Sequence, residues 1–95
     1  MSDVSQVLNR AADLIETEGW CQGKLTNPKR KHTQYCVMGA IGQACDDLEL
    51  KSRLPSRRAI KDYLAIESLV CWNDAPDRTQ AEVVAALRAA AKEAS

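Results

Sequence analysis

Apolar side chains recur at helical spacing near the start of the chain. Val4, Val7, Leu8, Ala11, Ala12 and Ile15 follow the i, i+3, i+4 rule, which predicts a helix that buries one stripe. Gln6, Asn9, Arg10, Asp13 and Thr17 occupy the opposite face, as a solvated surface requires. Ser2 or Asp3 can cap this helix, and Gly19 suits the left-handed position just past its end. The last segment reads the same way. Thr79 stands three residues before Glu82, the spacing at which each side chain accepts the other residue's backbone N–H. Val83, Val84, Leu87, Ala90 and Ala91 then share one face of a helix expected from Gln80 to about Glu93.

Between these two helices the pattern is less regular. Trp20-Cys21-Gln22 reads as a short extended piece answered by Thr33-Gln34-Tyr35, with Gly23 and the polar run 27–32 in the loop between them. No two-residue turn fixes the register of such a hairpin. Residues 36–45 read as a buried helix with Val37, Ala40, Ile41 and Ala44 inward. Gly39 and Gly42 each cost that helix about 1 kcal/mol relative to Ala. The usual compensation is close approach of another backbone, so both are expected to face a tightly packed neighbour. A connection ending near Pro55 precedes a third helix, expected from Ser56, that turns Ala59, Ile60, Tyr63 and Leu64 inward. It continues or restarts through Ile66, Leu69 and Val70, before a turn that Asn73, Asp74 and Pro76 suit. The predicted architecture is a mostly-α compact bundle of about four helices, with a short β-hairpin between helices 1 and 2. It forms a single domain over residues 1–95.

Composition refines this picture in three ways. Phe is absent, so Trp20, Tyr35, Tyr63 and Trp72 are expected to carry a disproportionate share of the core. No run approaches the roughly 18 apolar residues of a membrane span, and the first residues lack the basic-then-apolar pattern of an export signal. The expectation is a cytoplasmic protein with no membrane partner, whose four cysteines (21, 36, 45 and 71) stay reduced. Net charge is zero but unevenly spread: residues 24–61 carry +6, and the segments before and after carry −3 each.

Three blocks of sequence carry a resemblance. They are Ala11-Ala12-Asp13-Leu14-Ile15 followed by Gly19-Trp20-Cys21-Gln22-Gly23, then Cys36-Val37-Met38-Gly39-Ala40-Ile41, then Trp72-Asn73-Asp74-Ala75-Pro76-Asp77-Arg78-Thr79 leading into Glu82-Val83-Val84. In this order the chain resembles a family of small uncharacterised proteins from actinobacteria and their phages. It departs from that pattern in the Lys/Arg-rich insert at 28–32, where a shorter acidic or Gly-containing turn is expected. The resemblance implies a domain type and a host or phage setting, and no established activity.

Candidate chemistry begins with Cys36, which a helix N-terminus would activate as a thiolate. His32 lies four residues upstream, and Asn73 or Asp74 would orient it in a Cys-His-Asn/Asp arrangement. The competing reading is a buried structural thiol under Trp20 or Trp72, which suits the burial habit of free Cys better. Zinc would draw on Cys21, His32, Cys36 and Cys45, but intervals of 11, 4 and 9 residues match no standard spacing. Asn73, Asp74 and Asp77 lack the alternating oxygens and closing Glu of an EF-hand loop. Gly39-Ala-Ile-Gly42 lacks the Lys-Ser/Thr of a phosphate loop. No cofactor and no catalytic residue are expected.

The basic residues carry more weight. Lys29, Arg30 and Lys31 sit on a polar loop, and Arg57 and Arg58 lie near the expected start of the third helix, with Lys51, Arg53 and Lys61 around them. The position of Arg57 and Arg58 opposes the helix dipole, which points to another use. Joined on one face, these cations would bind an acidic protein or nucleic-acid phosphate. The favoured reading is a small binding protein that occupies a surface of a host protein, with Lys29, Arg30, Lys31, Arg57 and Arg58 steering it. Nucleic-acid binding through the basic 24–61 region is the alternative, and a thiol enzyme built on Cys36 is the alternative from another class. Ala85, Ala86 and Ala89 offer a small-residue surface for self-association.

Overall fold

The computed structural model describes residues 2–95. In chain order the elements are α1 (Asp3–Glu18), β1 (Thr26–Pro28), β2 (Thr33–Tyr35), α2 (Val37–Leu48), α3 (Arg53–Leu64), α4 (Leu69–Asn73) and α5 (Gln80–Glu93). The protein is therefore mostly helical, with four substantial helices, one short one and a two-stranded antiparallel hairpin between α1 and α2.

Both terminal helices form where the pattern places them. Ser2 Oγ accepts from the Ser5 N–H and caps α1, and Gly19 closes it at φ 113°. At α5 the Thr79–Glu82 box is complete in both directions. Val7, Leu8, Ala11, Ala12 and Ile15 of α1 are fully buried, and Val83, Leu87 and Ala91 of α5 meet them. α1 packs along α5 on one side and α2 on another, so it forms the centre of the bundle. Arg88 bridges the rim of that contact: its Nη2 lies 2.6 Å from Asp13 Oδ1 and its Nη1 donates to Asn9 O. Surface pairs of this kind add only about 0–1 kcal/mol, so the apolar seam dominates.

The middle of the chain corrects several expectations. The hairpin pairs Thr26–Pro28, not residues 20–22, with Thr33–Tyr35, in the register Thr26↔Tyr35 and Pro28↔Thr33. Lys29 N–H donates to His32 O at 2.7 Å and closes the loop, and a short loop costs less closure entropy than the long one expected. Residues 19–21 lie instead parallel to β2 on its other side, through Cys21 N–H to Tyr35 O and Tyr35 N–H to Gly19 O. α3 begins at Arg53 rather than Ser56, because Pro55 falls in its first turn, where no intrahelical N–H is required. Arg57 and Arg58 thus stand beyond the first turn, outside the reach of the dipole argument. The chain restarts after α3, with Ala65 left-handed at φ 55°.

The core is aliphatic. Leu8, Ile15, Ile41, Ile60 and Leu87 are its largest fully buried side chains, while Trp20, Tyr35 and Trp72 pack from its edge and Tyr63 is exposed. Indole and phenol carry polar tips that need partners, which holds them at the rim. The two helix glycines separate in the same way. A Cβ on Gly39 would stand 2.0 Å from the Leu25 carbonyl oxygen, whereas one on Gly42 would meet only the Arg53 side chain at 3.7 Å. Only Gly39 answers the expected backbone approach. Gly39→Ala is expected to lose about 1–3 kcal/mol or more, and Gly42→Ala to gain up to about 1 kcal/mol, both read from urea unfolding. Equal effects at the two positions would contradict the Leu25–Gly39 contact.

Candidate functional site

The last residue of α4 carries a buried side chain with four hydrogen bonds. Asn73 is 2% exposed. Its Oδ1 accepts from Trp20 Nε1–H at 2.8 Å and from the Val37 N–H at 3.1 Å. Its Nδ2 donates to Cys21 O at 3.1 Å and to Asp74 Oδ1 at 2.9 Å. Both acceptor positions and both donors are used, and the two N–H groups facing Oδ1 fix which way the amide points.

Neighbouring bonds extend this clasp. Gln22 Nε2 donates to the carbonyls of Asn73 and Ala75, and Gly23 N–H donates to Asp74 Oδ1. The Gly23 N–H, then the Asn73 amide, hold the Asp74 carboxyl below its ordinary pKa. Arg78 stacks over the Trp72 ring at 4.1 Å and donates from Nε to Trp72 O. The three sequence blocks that carry the resemblance therefore meet at one buried amide. Sequence reasoning gave Asn73 to a turn, to an orienting role or to a cation loop whose pattern it lacks; the signal for more was Trp20, whose indole N–H requires a partner once packed.

Cys36 lies beside this clasp as the N-cap of α2, with Sγ accepting the Gly39 N–H at 3.3 Å. Burial pushes its thiol pKa up, against the pull of the Gly39 and Met38 N–H groups, so the thiolate expected at a helix N-terminus is not favoured. Burial, then the neighbouring Cys36, raises Cys21 as well. The structure gathers Cys36, Asn73 and Asp74 around one pocket. His32 is exposed at the hairpin turn, and among the described residues its side chain bonds to none of them. Cys45 is buried on α2 and Cys71 is exposed on α4, and all four thiols are free. No three His, Cys, Asp or Glu residues converge on a metal-sized site among the described residues.

The pocket encloses about 200 Å³ between the 23–25 strap, the start of α2 and α4, with Leu25, Met38, Leu69 and Val70 as its apolar walls and Lys24 beside them. Met38, Leu69 and Val70 also border a second groove of about 560 Å³ that reaches α3, so the pocket and the groove share these three residues. Leu54, Arg57, Arg58 and Lys61 line that groove, together with Asp62 and Glu67. Three of the chain's exposed large apolar side chains line these cavities: Leu25 at 56% in the pocket, Leu54 at 72% in the groove and Val70 at 47% in both.

The predicted basic face is carried by different elements. Arg57 and Arg58 border the groove, whereas Lys29, Arg30 and Lys31 are exposed on the hairpin turn and line neither cavity. Among the described residues Arg10, Arg53, Arg78 and Arg88 form ion pairs, while Arg57, Arg58 and Lys61 form none. Arg57 Nε is buried without an acceptor. Of the three alanines expected to offer a surface, Ala86 faces the core, leaving Ala85 and part of Ala89 accessible. No helix among the described residues is long and apolar enough to cross a membrane.

With this geometry in place, the chain belongs to DUF6197, a family of unknown function whose model matches residues 1–93. No curated protein and no solved structure matches it.

Two outcomes follow for the clasp and its thiols. Asn73→Asp keeps the shape but turns an oxygen toward Cys21 O and the Asp74 carboxylate. It is expected to cost about 3 kcal/mol or more at neutral pH, measured by chemical denaturation. The deficit should shrink in acid, where the new carboxyl is protonated and donates again; a deficit independent of pH would contradict the amide's assigned orientation. On the native protein, iodoacetamide at neutral pH should label Cys71 first and Cys36 slowly, read by peptide mass spectrometry. Preferential labelling of Cys36 would reverse the structural reading of that thiol.

Proposed function

We propose that this protein is a small cytoplasmic recognition domain that acts by binding a partner protein, and that the partner is a host factor in a phage or mobile-element setting. The setting follows from the resemblance of the three sequence blocks to proteins of actinobacteria and their phages. The observation that carries the reading is the groove itself. Leu25, Val70 and Leu54 leave apolar surface in water in the pocket and the groove beside it, among cations that have no ion pair among the described residues. Buried apolar anchors supply most of the affinity at protein interfaces, and charges at the rim raise the rate and fix the register. Lys29, Arg30 and Lys31, outside the groove, act in this reading as a second steering patch.

Nucleic-acid binding has its own supporting observation, the exposed Lys29-Arg30-Lys31 turn at the tip of the hairpin. It would depend steeply on salt and would not need the apolar groove.

The test is affinity capture from a host lysate with wild-type protein and the Arg57→Ala/Arg58→Ala variant, each with and without nuclease. One protein retained after nuclease and lost with the variant is the expected result, with the melting temperature of the variant within a few degrees of wild type. Material that disappears with nuclease moves the function to the hairpin and nucleic acid. Retention that ignores the double substitution contradicts the groove.

A further inference from the structure

The pocket and the groove beside it differ chemically, and together they describe what fits this face of the molecule. The pocket is smaller than the roughly 300–1,000 Å³ of sites that hold drug-sized ligands. Its volume of about 200 Å³ and its walls of Leu25, Met38, Leu69 and Val70 suit a single large apolar side chain. Its two charged neighbours differ in availability. Asp74 is engaged by the Gly23 N–H and the Asn73 amide, while Lys24 has no ion pair among the described residues.

The groove supplies Arg57. Its Nε is already withdrawn from water and meets no acceptor, so the guanidinium carries part of its desolvation cost in the free protein. A carboxylate that reaches the remainder of the guanidinium gains a charge-assisted contact for less additional desolvation than a fully hydrated arginine would require. Arg58 and Lys61 add positive charge on the same lining, against Asp62 and Glu67. Counting both cavities, four cations (Lys24, Arg57, Arg58, Lys61) face three carboxylates, one of them already bonded.

We infer that the groove recognises a short segment of a partner protein that seats one large apolar side chain in the Met38–Leu69–Val70 pocket and presents a carboxylate to Arg57 and Arg58. This rests on the protein-binding reading above and names the partner's chemistry. The two subsites divide the work. The pocket sets the lifetime of the complex, and the cations set its salt dependence.

Short synthetic peptides, capped at both ends, test it by amide NMR titration of the full chain. One series has a central leucine flanked by glutamates, a second replaces the leucine with alanine, and a third replaces the glutamates with lysines. The leucine–glutamate peptide should shift the amides of Met38, Leu69, Val70 and Arg57. The alanine peptide should bind about tenfold or more weakly, and the lysine peptide should not bind. Val70→Glu and, separately, Leu25→Glu place a negative charge at exposed pocket positions and should each abolish those shifts while the spectrum stays folded. Shifts confined to residues 29–31, or indifferent to the leucine, overturn the inference while leaving an acidic protein partner in place. Silence of every glutamate peptide at several millimolar overturns both.

Discussion

Burying a primary amide with all four hydrogen-bond positions filled binds three groups from distant parts of the chain and one neighbour at once. Asn73 does this for Trp20, Cys21, Val37 and Asp74. Each bond in isolation adds about 0.5–1.5 kcal/mol, but leaving the Val37 N–H or the Cys21 carbonyl buried and unpaired costs more than the bond contributes. The arrangement is therefore all-or-none in character. The strap after α1, the start of α2 and the end of α4 must arrive together or the amide is worse than an apolar residue in the same place.

Much of the remaining architecture follows from that constraint. α4 has five residues, too few to form alone; Ser68 caps one end and Asn73 anchors the other. α2 begins with Cys36 as its cap, a weaker acceptor than Ser or Asp, and the Asn73 amide takes the Val37 N–H besides. Leu25 can then lie across Gly39, its carbonyl accepting the Cys36 N–H at 3.0 Å. The walls of the apolar pocket are these same three segments. The clasp that stabilises the fold thus also positions the surface through which we propose it works, and the buried thiol beside it reads as a helix cap.

The two terminal helices were legible because their information is local. A capping box and an apolar stripe are decided within a few turns, and Thr79 with Glu82 or Val7 with Leu8 needs no knowledge of distant residues. Gly39 was legible for a similar reason, since a helix glycine asks what lies against it, though Gly42 shows that the question has other answers. The hairpin register was not legible, because residues 20–22 and 26–28 both carry strand-compatible positions and loop length decided between them. The aromatic residues misled as core candidates, since a polar tip moves a large ring to the rim. Asn73 read as a turn residue because Asn-Asp-Ala-Pro is turn chemistry; that its side chain is inward depends on three segments far apart in sequence. The pocket and groove were invisible for the same reason: Arg57 and Arg58 were found, but the fold alone brings Val70 beside Leu25 in one cavity and beside Leu54 in the other.

Hydrogen exchange followed by NMR tests the central claim most directly, at the Val37 amide and the Trp20 indole N–H. Both would ordinarily exchange fast, one at the first position of a helix and the other on a half-buried ring. If the Asn73 amide holds three segments as a unit, both protons exchange only with global unfolding, at the rate of core amides in α1. Exchange of either on the timescale of a fraying terminus would mean that the clasp opens locally, and that the fold does not depend on it.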